Sequence, residues 1–347
     1  MLRKNDGNRT VLIFLVLSVV GFFLSGLNPR FVASEVITRI LRNSIMVLSL
    51  IIPIVAGLGL NCAISIGALA AQAALLFALN FGIGGYGGLL FVTAVATVLS
   101  IASGAVVGMV LNHVKGREMI ATIIIGYIGV SIYQLIFMVG FGTVIPVVNQ
   151  EMLLSRGIGV RHVVDLESLS GIIDRCMQIH IFGIPISLLS VLLALGVSLL
   201  IHVILKSRLG LNFRAVGESM EKAERLGIDV NRIRMIAIIL STVLASYGQI
   251  LYLQNVGMLS VYTAQSNREI FSSAAILAGG AGIKNAGIRN AFLGLFLFHL
   301  LFVVSPQAGQ NLFSSVAIGE YFRTFISYSV ICFAIVMNGR AQSRSRI

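Results

Sequence analysis

The chain has 347 residues, 57% of them hydrophobic and 11% charged, and a net charge of +12. Between Asn43 and Val114 it contains no Asp, Glu, Lys or Arg; about 20 apolar residues cross a bilayer and a mid-membrane charge costs roughly 2.5–3.5 kcal/mol, so this stretch reads as about three crossings. A water-soluble domain is excluded, and the positive charge reads as loop charge on one membrane face rather than as a nucleic-acid footprint.

In chain order, apolar runs predict membrane segments at 11–27, 44–60, 63–80, 88–112, 119–142, 183–205, 235–255, 270–282, 290–304 and 324–338. The fold class is all-α: a polytopic membrane protein with about ten transmembrane helices, forming a single transmembrane domain over 1–347. The first run follows Arg3, Lys4 and Arg9 and is longer than a signal-peptide core; Leu27-Asn28-Pro29-Arg30 is a poor cleavage site, so it reads as an uncleaved helix. Pro53 predicts a kink or break within 44–60. Gly82–Gly88 reads as a tight turn between two crossings, and Gly104-x-x-x-Gly108 offers small-residue helix packing without indicating a partner helix. The 270–282 segment is short for a full crossing and reads as a half-helix or re-entrant element.

Two regions are polar enough to leave the membrane, 143–182 and 206–234. With the N-terminus inside the cell, 17 basic and 6 acidic residues fall on the cytoplasmic side against 8 and 7 outside. That asymmetry predicts that both termini are cytoplasmic, with loop 206–234 inside and loop 143–182 outside.

Catalytic motifs fail on context. Gly82-x-Gly84-x-x-Gly87 matches a dinucleotide fingerprint in letters, yet no strand–helix unit surrounds it, and no P-loop pattern is present. The five histidines and three cysteines show no metal-ligand spacing. The predicted segments contain no carboxylate, lysine or arginine, which argues against proton coupling and for a neutral solute moved by an outside energy source. No catalytic residue, metal or bound cofactor is assigned to this chain.

Loop 206–234 carries the most local information. Ser219 is placed to cap a short helix with Glu221 in its first turn, Arg225 near its end and Gly227 just beyond. Glu221 and Arg225 form a favourable i,i+4 pair, while Met220 and Ala223 share an apolar side. Flanked by Arg208, Arg214, Arg232 and Arg234, this helix reads either as a docking element for another protein or as a solvated connector.

At this loop the sequence resembles the inner-membrane permeases of ABC importers of the ribose/simple-sugar and branched-chain amino acid class. The matching stretch runs Arg214-Ala-Val-Gly217-Glu-Ser219-Met-Glu-Lys-Ala223-Glu-Arg-Leu-Gly227-Ile228, followed by Ser241 and Gly248. Ala63–Ala68, Ile120-Ala-Thr122 and the Gly-rich 278–287 stretch are similar to further motifs of that family, in the same order. Ala63 and Ser219 stand where the family usually has Asp and Asn. The resemblance implies a vitamin-B12-importer-like (type II) arrangement and a second permease subunit, identical or different. It also implies two cytoplasmic ATPase subunits that consume the ATP and an extracytoplasmic solute-binding protein.

It implies that Arg214, Gly217, Ser219, Glu221, Ala223, Arg225 and Gly227 form the ATPase-coupling element. The implied solute is small, neutral and polar, a monosaccharide or nucleoside-like molecule. Asn61, Ser65, Gln72, Thr122, Gln134 and Gln249 are candidates for lining its path, against the alternative of helix–helix hydrogen bonding. The alternative function is an ATPase-independent secondary carrier. On the importer reading, deletion of 214–227 is expected to leave folding and insertion largely intact while abolishing copurification of the ATPase.

Overall fold

The computed structural model describes residues 2–154, 157–181, 183–282, 285–325, 328–329 and 332, with side chains from residue 8 onward. Its helices are α1 (Leu2–Ser25), α2 (Pro29–Ser49), α3 (Ile51–Val55), α4 (Ile64–Asn80), α5 (Gly85–His113) and α6 (Glu118–Leu135). After the strand β1 (Val163–Asp165) come α7 (Ile172–Cys176) and the hairpin β2 (Gln178–Ile181) and β3 (Ile184–Ser187). Next follow α8 (Leu188–Lys206), α9 (Arg208–Glu218), α10 (Met220–Arg225), α11 (Val230–Val256), β4 (Met258–Ser260), α12 (Arg268–Ala278) and α13 (Ile288–Phe313). Among the described residues, seven helical stretches are long and apolar enough to cross a membrane. The 17-residue α4 adds a shorter apolar helix. Most of the predicted 324–338 segment and all of the predicted cytoplasmic tail at 339–347 lie outside the described residues, as do Arg156 and residues 283–284.

The bundle has an inner and an outer set. In α11, 67% of the membrane-length window is buried, and in α2–α3 61%, whereas α6 buries only 17%. Close backbone approach builds the centre. A Cβ on Gly67 of α4 would lie 2.3 Å from Thr242 O of α11, and Gly104 and Gly108 of α5 pack on Ile239, Thr242 and Met235. The partner that spacing alone left open is therefore α11. At the C-cap of α12, a Cβ on Gly279 would fall 1.8 Å from Asn290 O, and one on Gly294 of α13 would fall 1.8 Å from Ala275 O.

The predicted start of the second segment needs correcting. The helix begins at Pro29 rather than near 44, with Asn28 as N-cap accepting from the Arg30 amide at 2.9 Å. Arg30, Glu35, Arg39 and Arg42 therefore sit on α2 rather than in a loop. The same correction removes the ground for inferring a neutral solute, because this span does carry charge. The break expected near Pro53 falls at Leu50, between α2 and α3. There the proline ring would collide with the carbonyl of Ser49, four residues earlier.

The polar regions collect at two ends. At one, here the charged-loop end, α9 and α10 meet the α5–α6 turn and the 56–63 loop. At the other, the ribbon end, β1 pairs antiparallel with β4, with Val163 opposite Ser260 and Asp165 opposite Met258. The 143–182 region is thus folded against the end of α11, where sequence showed only a long loop. Asn80 at the end of α4 grips it from Pro146 O at 3.2 Å and the Val148 amide at 3.0 Å.

At 11 residues, α12 is about 16 Å long at 1.5 Å per residue. That is roughly half of a hydrocarbon core of about 30 Å. Its residues Ser272–Ala278 are all buried, which suits the expected half-helix: non-spanning backbone is tolerated at membrane depth when protein surrounds it.

Candidate functional site

Three clusters of functional interest emerge, and the charged-loop end is the first. Sequence predicted one short helix there; the structure has two, α9 and α10, hinged at Ser219. Ser219 has extended backbone and its hydroxyl accepts from the Lys222 amide at 3.4 Å, the capping arrangement expected from its position. Phe213, Val216 and Ala223 are buried in the main core. Arg214, Glu221, Lys222, Arg225 and Leu226 face outward. Glu221 and Arg225 make their i,i+4 ion pair at 2.6 Å, with both side chains about three-quarters exposed. Such a pair adds only a few tenths of a kcal/mol, about 0.3–0.5, so it shapes a surface more than it stabilises a helix. Gly227 ends α10 in the left-handed region at φ +78. Of the seven predicted coupling residues, Ala223 faces inward, while Gly217 acts through its backbone.

That backbone contact locks the element down. A Cβ on Gly217 would lie 2.2 Å from Val55 O, and one on Gly57 2.6 Å from Gly217 Cα. α9 thus rests directly on the end of α3. Arg234, expected as a docking cation, is instead buried and 1% exposed. It pairs with Glu118 at 2.8 Å, donates to Leu111 O at 3.0 Å and Asn112 Oδ1 at 3.3 Å, and reaches Met220 Sδ at 3.3 Å. Lys115 also pairs with Glu224 at 3.8 Å. One buried guanidinium therefore ties the end of α5, the start of α6, α10 and α11 together. Deletion of 214–227 would remove buried core residues such as Val216 and Ala223, which counts against the expectation that folding survives it largely intact.

The second cluster is the polar interior. Asn61 donates to Ser241 Oγ at 3.3 Å and accepts from the Ala63 amide at 3.1 Å. Ser65 and Thr122 bond carbonyls of their own chain segment, Cys62 O and Met119 O. Gln134 and Gln249 both hold the 261–266 turn, donating to Tyr262 O at 3.5 Å and Ala264 O at 3.2 Å. These five behave as packing and loop-holding groups in this conformation. Gln72 differs: it is fully buried, and neither its carboxamide oxygen nor its nitrogen has a partner. Gln249 Oε1 and Gln265 Oε1 are likewise unbonded. α4 and α11 run parallel, with Asn61 by Ser241 and Gly67 by Ala245, so the register carries Gln72 to the level of Gln249.

The third cluster lies between the ribbon end and the bundle centre, and sequence reasoning missed it. A cavity of about 320 Å³ is lined by Arg39 and Arg42 of α2, Tyr252 of α11, Arg268 of α12 and His299 of α13, with Met258 and Ser260 of β4 also on its wall. The signal that would have found it is Asn28-Pro29, a cap followed by proline at the first helical position. Read as a helix start, that pair places Arg39 and Arg42 inside a membrane-length helix.

Against known proteins, residues 12–337 match the family described as "Branched-chain amino acid transport system / permease component". The chain belongs to this family. It is 30% identical over 137 residues to the autoinducer 2 import system permease protein LsrC of Klebsiella pneumoniae subsp. pneumoniae, covering 39% of this chain and 37% of that one. It is 35% identical over 96 residues to the nucleoside ABC transporter permease protein NupC of Lactococcus lactis subsp. cremoris, covering 27% and 30%. An LsrC protein from an Enterobacter species is 30% identical over 133 residues, covering 38% and 36%. The matched stretch thus spans about a third of these curated relatives. No solved structure matches significantly. Family membership accords with the resemblance drawn from the 214–228 stretch and with the helical membrane architecture.

Proposed function

We propose that this protein is the membrane permease of an ABC importer. It would pass a small polar solute, of the nucleoside or autoinducer-2 kind named for its relatives, into a bacterial cell by alternating access. Partner ATPase subunits would bind the α9–α10 element at the cytoplasmic face, and an external solute-binding protein would deliver cargo at the ribbon end. A second permease subunit would complete the channel. The chain would supply the conduit and consume no ATP itself. Binding of the partner in one nucleotide state can bias a two-state permease only through contacts that differ between the states, and a rigidly mounted surface element supplies such contacts.

The observation that supports this reading is the mounting of α10. Its outward residues Glu221, Arg225 and Leu226 sit on a helix tied to α5, α6 and α11 through Arg234, next to α9, which rests on α3 through Gly57 and Gly217. A solvated connector needs no such anchorage, and an ATPase-independent carrier has no use for an outward charged face so fixed.

The test is the triple variant Glu221→Arg, Arg225→Glu, Leu226→Asp, which leaves the buried side untouched. The expected result is normal insertion with loss of the copurifying ATPase and of solute uptake. Uptake that persists without any associated ATPase would establish the carrier instead.

A further inference from the structure

The cavity by the ribbon end concentrates positive charge where a membrane protein ordinarily avoids it. Arg39, Arg42 and Arg268 all line it, and no carboxylate does. Glu35 pairs with Arg39 at 3.1 Å but stays outside the lining. Arg42 and Arg268 make no ion pair among the described residues. Glu269 follows Arg268 in sequence, yet one of its buried carboxylate oxygens is unbonded. Asp174, which shares Asn255 with Arg42, is occupied by Ser190, Gln254 and Asn255.

The guanidiniums are held on aromatic faces. Arg268 lies 3.3 Å and Arg42 5.2 Å from the ring centroid of Tyr252, and Arg39 lies 5.4 Å from that of Phe302. Two cations on one ring repel each other, and the ring quadrupole offsets only part of that. Among the described residues Arg42 reaches only Asn255 Oδ1 at 3.5 Å, with its Nε buried and unbonded, whereas Arg268 donates to Ala264 O at 3.1 Å and reaches Asn43 Oδ1 at 3.4 Å. His299 Nδ1, on the same wall, is also buried without a partner. Unspent donors, stacked guanidiniums and a volume within the range of small-ligand sites together describe a receptor for an oxyanion beside an apolar body.

We propose that this cavity binds a phosphate- or carboxylate-bearing molecule, with Arg42 and Arg268 clasping the anionic group and Phe271, Phe298 and Phe302 meeting its less polar part. The anion can belong to a free solute or to the headgroup of an anionic lipid. That the site lies on a transport route rests on the importer reading above; that it binds an anion does not.

The experiment uses the purified full chain in nanodiscs, where ligand binding to the folded state raises the melting temperature. Ribose 5-phosphate is compared with ribose, and uridine 5′-monophosphate with uridine, in discs of neutral phosphatidylcholine. A second arm adds phosphatidylglycerol without solute. The expected result is that the phosphorylated member of each pair stabilises the protein and binds at least about tenfold more tightly than its uncharged counterpart, the scale of one charge-assisted contact. Arg42→Gln and Arg268→Gln each abolish that preference, and Arg42→Lys restores part of it. Stabilisation by phosphatidylglycerol alone, lost in the same variants, supports the anion site and assigns it to lipid. If Arg268→Gln does not fold, Arg42→Gln decides the matter. The proposal is overturned if neither anion source stabilises the wild-type protein, or if Arg42→Gln keeps the full preference. Binding is read without ATPase or flux, so its failure leaves the importer reading untouched, and loss of ATPase association leaves this site untouched.

Discussion

At the scale of single residues, Arg234 is the most consequential side chain in the charged-loop end. It is buried with Glu118, and removing one member of such a pair leaves the other charged and desolvated, at a cost of about 3–5 kcal/mol. Arg234→Met is therefore expected to lower thermal stability sharply in detergent. The double variant Arg234→Met, Glu118→Leu should recover a substantial part, because no orphaned charge remains. A double-mutant cycle on melting curves checks this, and additive losses would show that the two residues do not act as a pair. By contrast, Glu221→Ala breaks an exposed pair and should change stability by less than about 1 kcal/mol. Sequence spacing found the second pair and misplaced Arg234, since i,i+4 geometry is local while the Arg234 partners come from α5, α6 and α10.

Between elements, glycine decides which helices can touch. Gly57 has φ +78 and faces Gly217 Cα, so Gly57→Ala would meet both backbone strain and a collision. Gly116→Ala shares the strain, at φ +89, but faces open space. Both should insert into membranes, yet Gly57→Ala should expose α9 to limited proteolysis while Gly116→Ala leaves the cleavage pattern unchanged. Equal protease sensitivity would mean that the α3–α9 contact is not what holds this element. Likewise, Gly294→Ala would bring a methyl to 1.8 Å from Ala275 O and should separate α12 from α13, with a loss of several kcal/mol read as a lowered melting temperature. Pro53 and Ser219 marked their break and cap in sequence because both act within four residues. The Gly57–Gly217 contact left no such mark, because the two lie far apart along the chain.

Across the whole molecule, the helices sort their polar segments to two opposite ends, and on the proposed orientation the charged-loop end faces the cytoplasm and the ribbon end the outside. Cys176, at the end of α7, is exposed near the ribbon end, whereas Cys62 is partly buried in the loop against α4. In a Cys332→Ser background, a membrane-impermeant maleimide applied to intact cells should label Cys176. A cysteine placed at Arg225 should react only after the cells are opened. The reverse pattern would invert the orientation and with it the proposed site of ATPase docking.

Hydropathy alone established that the chain lives in a bilayer, and capping chemistry established a short charged helix ending at Gly227. Both follow from free-energy terms that neighbouring residues determine: transfer of apolar side chains, and satisfaction of helix-end amides. The helix from Pro29 escaped that reading because Arg30, Glu35, Arg39 and Arg42 make its first half look like a loop. What makes those charges tolerable there is supplied from elsewhere, by the rings of Tyr252 and Phe302 and the amide of Asn255, together with Glu35 one turn away. Only the tertiary structure decides whether a charge at membrane depth finds such neighbours, since no window along the chain contains groups that packing brings together from α11 and α13.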